Sequence, residues 1–304
     1  MAVHRRIVNA LNRGWLGAWM AGLALALLGG CSGTGALNTL SAHGSAYTLQ
    51  TDVPYGPLPR QKLDIYTPTA AAPARGWPMV VFLYGGTWRS GERGDYRFVG
   101  AALATKGMQV LVADYRLYPE VRYPDFVADS AKAVAYGLSQ ARRLGADPGR
   151  VFLMGHSAGA YNAAMVALDA RWLRAEGQRP QALAGWIGLA GPYDFYPTEN
   201  PDVQPVFFHP DYPPRSQPIG FAPADAPPTF LGAASDDPLV SPERNAQAMA
   251  QRLRAAGVPV TLRLYPRASH VTLIGALAWP LRWAGPVLDD VRAFVDAPRA
   301  ADGP

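Results

Sequence analysis

From residue 79 onward, short apolar runs alternate with stretches of helical period, and few folds accommodate that rhythm. The runs at 79–84, 110–113, 151–154, 186–189, 229–233 and 260–265 are mostly apolar. Such a run suits a strand covered on both faces, whereas a half-exposed strand alternates. Between them, 98–105, 126–144, 158–168, 242–256 and 283–295 read as helices. Gly107 and Gly145 supply stops, and Ser241 is an N-cap candidate. This order predicts an α/β domain, a mostly parallel sheet with helices on both faces. Sites in such sheets form outside the carboxyl ends of the strands. Residues 47–66 alternate loosely and are broken by Pro54, Pro57 and Pro59, which predicts an opening antiparallel hairpin. The rhythm lapses over 192–228, where eleven prolines are interspersed with aromatic residues. One domain over 47–297 is expected, with 192–228 as a proline-rich lid or pocket wall.

The first thirty residues differ. His4, Arg5, Arg6 and Arg13 form a basic opening, an apolar run covers 15–28, and Gly29-Gly30-Cys31 follows. This order describes a secretory signal over 1–30. The apolar run is shorter than the roughly 20 residues a spanning helix needs. Leu28-Gly29-Gly30-Cys31 resembles the bacterial lipobox. That resemblance implies acylation of Cys31 and, with Ser32 next, an outer-membrane lipoprotein facing the periplasm. An uncleaved anchor helix is the alternative. Residues 31–46, small and polar, predict a flexible tether. Cys31 is the only cysteine, so no intramolecular disulfide can form. The leader also explains the charge: the chain carries 28 basic and 23 acidic residues, and three of the arginines lie in the first thirty. No basic stripe remains to suggest nucleic acid.

The sharpest local signal is Gly155-His156-Ser157-Ala158-Gly159, between an apolar run and a helix. A serine on a tight strand-to-helix turn has its hydroxyl lifted clear of the sheet, and close backbone approach explains the flanking glycines. The helix beyond presents free amides to a developing oxyanion. A serine needs a base, and five histidines are available. His4 and His43 lie in leader and tether, His156 occupies the turn itself, and His209 falls in the insertion. His270, after the last strand, is therefore the expected base. Ser235-Asp236-Asp237-Pro238-Leu239-Val240 offers two acids. Asp237, three residues before Val240 and a helix, is preferred, with Asp236 as the alternative. The order Ser157, Asp237, His270 is that of α/β-hydrolases, and other triad folds differ. After the first parallel strand, Tyr84-Gly85-Gly86-Thr87-Trp88 suits an oxyanion loop. Its donors would be the amides of Gly86 and Thr87 together with Ala158, supported by Gly85.

Over 79–295 these stretches, with Asp114-Tyr115-Arg116-Leu117, resemble the bacterial esterase/lipase branch of the α/β-hydrolases. The resemblance lies near hormone-sensitive-lipase-like carboxylesterases and arylformamidases. It implies the α/β-hydrolase fold with a cap insertion, nucleophile Ser157, acid Asp237, base His270, and the loop at 84–88 as oxyanion hole. Tyr84 stands where that family carries a histidine bracing this loop. A serine carboxylesterase for short-to-medium acyl or aryl esters is the leading expectation. An arylformamidase-like amide hydrolase and an inactive hydrolase-like lipoprotein are the alternatives. No cofactor or metal is expected. The expected partners are a small-molecule ester and a membrane reached through Cys31. Trp88, Phe207, Phe208, Trp279 and Trp283 are candidates for an apolar substrate pocket, although aromatic residues more often pack a core.

Overall fold

The computed structural model describes residues 30–41 and 46–298. Eight strands form one sheet: β1 (Tyr47–Pro54), β2 (Lys62–Pro68), β3 (Trp77–Leu83), β4 (Gln109–Ala113), β5 (Ala146–His156), β6 (Gly185–Leu189), β7 (Thr229–Ala234) and β8 (Val260–Tyr265). Their order is β1-β2-β4-β3-β5-β6-β7-β8. β1 and β2 form the antiparallel hairpin, β2 joins β4 antiparallel, and every pair from β4 to β8 is parallel. Each residue of β3, β4, β6 and β7 is buried, as continuous apolar runs require. β1 at the edge is largely exposed.

The helices are α1 (Gly30–Ser41), α2 (Arg97–Thr105), α3 (Asp125–Gln140), α4 (Ala158–Leu168), α5 (Arg171–Ala175), α6 (Ala248–Ala255), α7 (His270–Gly275) and α8 (Val287–Asp296). Two glycines show that the layers lie on opposite faces. Gly100 of α2 rests on the Tyr66 ring, and Gly137 of α3 rests on Val81 and Leu111. Tyr66 is in register with Val110, one residue from Leu111, so the two helices cover alternate sides. The long α4 runs buried along its whole length against β3, β5 and β6.

Some boundaries depart from the sequence pattern. The last helix starts at Val287 rather than 283, because Gly285 and Pro286 break the chain. Pro286 has no amide to continue a helix through itself, and Trp279–Ala284 forms a separate 3-10 turn. The insertion contains two 3-10 turns, Gln204–Phe207 and Pro218–Gly220. Side chains hold it down elsewhere. Asn245 Oδ1 accepts from the amides of Tyr193 and Asp194 (2.6 and 2.9 Å), and Gln217 Oε1 from those of Phe195 and Tyr196 (2.6 and 3.0 Å).

The segment expected as a flexible tether is helical over 30–41. α1 docks because Leu37 is buried and Asn38 makes two bonds: its Nδ2 donates to the Gly94 carbonyl (2.8 Å) and its Oδ1 accepts from the Phe98 amide (3.0 Å). Residues 1–29, where the leader was expected, lie outside the described residues. Among the described residues no helix is long and apolar enough to cross a membrane.

Candidate active site

Ser157 connects β5 directly to α4. Its backbone is left-handed (φ 52°), a strained conformation for a residue with a side chain. The turn is fixed from both sides: the Ser157 amide donates to Leu189 of β6 (2.9 Å), and its carbonyl accepts from Ala160 and Tyr161 (2.9 and 3.1 Å). Close approach demands the glycine at 159, where a methyl group would overlap the Leu83 and Tyr84 carbonyls.

β5, β6, β7 and β8 are neighbours, so their carboxyl ends lie side by side. Asp237 follows β7 and His270 follows β8, as the first residue of α7. Ser269 caps that helix, its Oγ accepting from the Thr272 amide (3.2 Å). His270 Nε2 is 2.9 Å from Ser157 Oγ, and its Nδ1 is 2.7 Å from Asp237 Oδ2. A carboxylate can only accept, so Nδ1 carries the proton and Nε2 faces the hydroxyl as an acceptor. Asp237 Oδ1 accepts from the amides of Leu239 and Val240 (2.9 and 3.1 Å). Burial pushes the Asp237 carboxyl up, but the hydrogen bond and charge of His270, with those two amides, outweigh it and hold the carboxyl below its ordinary range. Asp236, the alternative acid, is exposed.

His156 is buried beside this relay. Its Nε2 lies 3.1 Å from the His270 carbonyl oxygen and therefore donates to it. Its Nδ1 is buried without a partner among the described residues. Burial, reinforced by His270, pushes this imidazole down to about 3, so it is neutral at neutral pH and bears on the backbone rather than on the hydroxyl.

β3 is hydrogen-bonded to β5, which sets the loop after Leu83 beside Ser157. A methyl group on Gly85 would lie 3.0 Å from Ser157 Cβ. Gly86, Thr87 and Trp88 all have left-handed backbone (φ 131°, 52° and 58°). The Gly86 and Thr87 amides have no hydrogen-bond partner among the described residues, and Ala158, the first residue of α4, has none within its helix. These amides belong to the loop beside Ser157 and to the residue that follows it.

Tyr84 braces this loop. Its hydroxyl donates to Asp114 Oδ1 (2.9 Å) and accepts from Arg60 (3.0 Å), while Tyr115 donates to the Tyr84 carbonyl (2.7 Å). Its ring stacks between Tyr96 and Tyr115. Burial, with Asp114 nearby, pushes the phenol well above its ordinary value, so it stays a donor. Asp114 also takes the Arg93 amide (2.7 Å) and the Arg93 guanidinium, whose Nε donates to Asp64 (2.8 Å). The Asp114-Tyr115-Arg116 stretch is thus a bracket: Arg116 Nε and amide both donate to Asp129 of α3 (2.8 and 3.0 Å). Sequence reasoning missed Arg60, Asp64, Arg93 and Asp129, which are supports contributed from far along the chain.

The five aromatic pocket candidates separate. Trp88 and Phe207 are buried in a cluster with Phe126, Tyr161 and Phe195, and Trp88 Nε1 donates to Asn162 of α4 (3.0 Å). They are a floor beneath the loop, joined to the insertion. Phe208 is exposed under the Arg122 guanidinium. Trp279 and Trp283 are exposed, at 72% and 57%, on the Trp279–Ala284 turn, which packs on α7 and not among the buried rings around Trp88. Among the described residues no cluster of His, Cys, Asp or Glu could hold a metal ion.

Comparison with known proteins agrees with this architecture. An esterase of Pyrobaculum calidifontis superposes with a TM-score of 0.70, 20% identity, 88% of this chain and 91% of that one covered, which bears on the fold. An isoprenylcysteine alpha-carbonyl methylesterase of Arabidopsis thaliana is 31% identical over 152 residues, 49% of this chain and 35% of the relative. A kynurenine formamidase of Danio rerio is 30% identical over 146 residues, 48% of this chain and 47% of the relative. The chain therefore spans about a third to a half of the length of these two relatives. The BD-FAE family model matches residues 63–253, from β2 to the end of α6. The chain belongs to the BD-FAE family of α/β-hydrolases.

Proposed function

We propose that the protein is a serine hydrolase that cleaves carboxylic esters through an acyl-enzyme on Ser157. The carrying observation is the relay of 2.9 and 2.7 Å from Ser157 through His270 to Asp237. His270 Nε2 takes the hydroxyl proton as the oxygen attacks the ester carbonyl. Asp237 holds the tautomer and stabilises the imidazolium. The carbonyl oxygen gains a full negative charge in the tetrahedral intermediate, and the amides of Gly86, Thr87 and Ala158 receive it. Each such donor is typically worth about 3 to 4 kcal/mol of barrier. Collapse passes the proton from His270 to the departing alkoxide. Water then repeats the sequence on the acyl-enzyme and returns the free acid and Ser157. Short-to-medium acyl or aryl esters are the proposed substrates, a reading the likeness to esterases supports. The test is a panel of p-nitrophenyl esters of graded acyl length, run beside Ser157→Ala. Turnover falling at least about 10^3-fold in the variant is expected, and near-wild-type turnover overturns the mechanism.

The formamidase similarity supports a second reading, in which the same machinery cleaves an aryl formamide. Turnover of N-formylkynurenine above that of p-nitrophenyl butyrate would favour it. An inactive, ligand-binding lipoprotein would leave Ser157 unlabelled by a fluorophosphonate.

The proposal extends to an envelope location, in which Cys31 carries the lipid and the enzyme faces the periplasm. The lipobox-like Leu28-Gly29-Gly30-Cys31 supports it. Intact-mass analysis of the membrane fraction should show a chain beginning at residue 31 with added acyl mass.

A further inference from the structure

The described surface carries few large exposed apolar side chains, and four of them border the Ser157 site or its neighbouring turn. Leu239 (70% exposed) is two residues past Asp237, and Val271 (54%) adjoins His270. Trp279 and Trp283 stand four residues apart on the Trp279–Ala284 turn, which packs on α7, the helix that begins at His270. Monomeric proteins rarely leave grouped aromatic residues in water.

We propose that this rim rests on a phospholipid bilayer, with Trp279 and Trp283 in the headgroup layer and the mouth of the Ser157 site opening toward esters dissolved in lipid. Two independent features single out the bilayer as occupant. The first is connectivity. α1 packs on the same turn, Leu37 and Leu281 both reaching Gly275 of α7, and α1 begins where the apolar stretch 15–28 and Cys31 deliver the chain. Whether by acyl chain or by uncleaved leader, the membrane-seeking end of the protein is joined to this face. The second is charge. Residues 266–288 contain Arg267 and Arg282, both exposed, and no acidic residue, while α1 carries no charge at all; the acids at the border are Asp289, which sits in the field of Arg282, and Asp236 on the Leu239 side. Indole rings flanked by arginines suit an interface of anionic headgroups over acyl chains. The substrate half of this inference rests on the ester-hydrolase reading, and the docking half does not.

The experiment uses the full chain in vesicles of phosphatidylglycerol and phosphatidylethanolamine with bromines on the acyl chains. Tryptophan quenching is expected, and Trp279→Ala with Trp283→Ala should lower it by the share that these two rings contribute. The chain's other tryptophans, including Trp15 and Trp19 in the leader, remain in the variant, so the difference reports on these two rings. Hydrolysis of a long-chain ester embedded in the vesicles should fall about tenfold, the loss expected from withdrawing buried aromatic area. Turnover of water-soluble p-nitrophenyl acetate should stay within about twofold of wild type, which shows that the variant is folded. Quenching that the double substitution leaves unchanged overturns the proposal. So does a variant that loses self-association in light scattering, since the face would then belong to a second copy. If neither protein cleaves any ester, the enzyme reading fails while quenching still decides the docking surface. If Cys31 proves unacylated, only the lipid-anchor reading falls.

Discussion

Tyr84 shows how one residue can take over a bracing task by a different geometry. A buried phenol reaches Asp114 and Arg60 at once, and its backbone carbonyl is held by Tyr115. Tyr84→Phe keeps the stacked ring and removes both hydroxyl bonds. Asp114 retains the Arg93 amide, so the expected cost is about 1 kcal/mol, or a Tm lower by about 2 to 4 °C. The larger effect should be on kcat for p-nitrophenyl butyrate, down about three- to tenfold with KM little changed, because in the proposed mechanism the loop amides bind the oxyanion and not the ester. Unchanged kcat would mean that the loop holds its shape without the phenol. His156 acts on stability instead. Its imidazole titrates near 3 in the fold against an ordinary 6.5, chiefly through burial. Above pH 6.5 it is neutral whether folded or unfolded. Between 6.5 and about 3 the unfolded chain takes up a proton that the folded chain refuses, so stability falls with acid by about 1.4 kcal/mol per pH unit from this group. His156→Gln keeps a donor for the His270 carbonyl and removes the titration. Urea denaturation from pH 6.5 to 4 should show a shallower decline in the variant, and parallel declines would rule out this linkage.

At the scale of elements, regular structure and irregular structure are stabilised by different means, and only the first leaves a periodic mark. The insertion between β6 and β7 is built from short turns rather than from a long regular element. Its entry is held by Asn245, just before α6, which accepts from the Tyr193 and Asp194 amides. Asn245→Ala should raise hydrogen exchange at those two amides by about ten- to hundredfold, with α4 unaffected. Equal protection in both proteins would show that aromatic packing alone fixes the insertion. The same contrast explains what could be read from the chain. β6 and α4 were legible within a residue or so, because an element buried on all sides draws an apolar run that turn residues bound. So was the meeting of Ser157, Asp237 and His270, since the fold type orders them and elimination left one histidine. The supports were not legible. Arg60 pairs with Tyr84, Arg93 with Asp64, and Gln61 with Asp129, at separations that carry no periodic signal. The break before α8 was available in Gly285-Pro286 but was masked by the apolar run that spans it.

Across the whole molecule, α1 settles how far the sheet can stray from residue 31. A free tether of the fifteen or so residues first expected would allow a wide range of orientations. A docked twelve-residue helix, about 18 Å long, allows few, and it fixes the face that carries Trp279 and Trp283. Docking depends on a small contact: Leu37 against Gly275, and Asn38 bridging Gly94 and Phe98. Leu37→Ala removes most of the apolar part, worth about 2 to 3 kcal/mol for a fully buried side chain. Such a loss exceeds what a short helix gains by itself in water, so α1 should unfold locally while the sheet stays intact. Hydrogen exchange at residues 35–39 should then accelerate at least about thirtyfold, and the Phe98 amide, released from Asn38, should accelerate with it. Turnover of a water-soluble ester should not change, because α1 touches neither Ser157 nor its partners. If the Phe98 amide stayed protected while 35–39 opened, Asn38 would have to be held by something other than the helix, and α1 could not be what orients the domain.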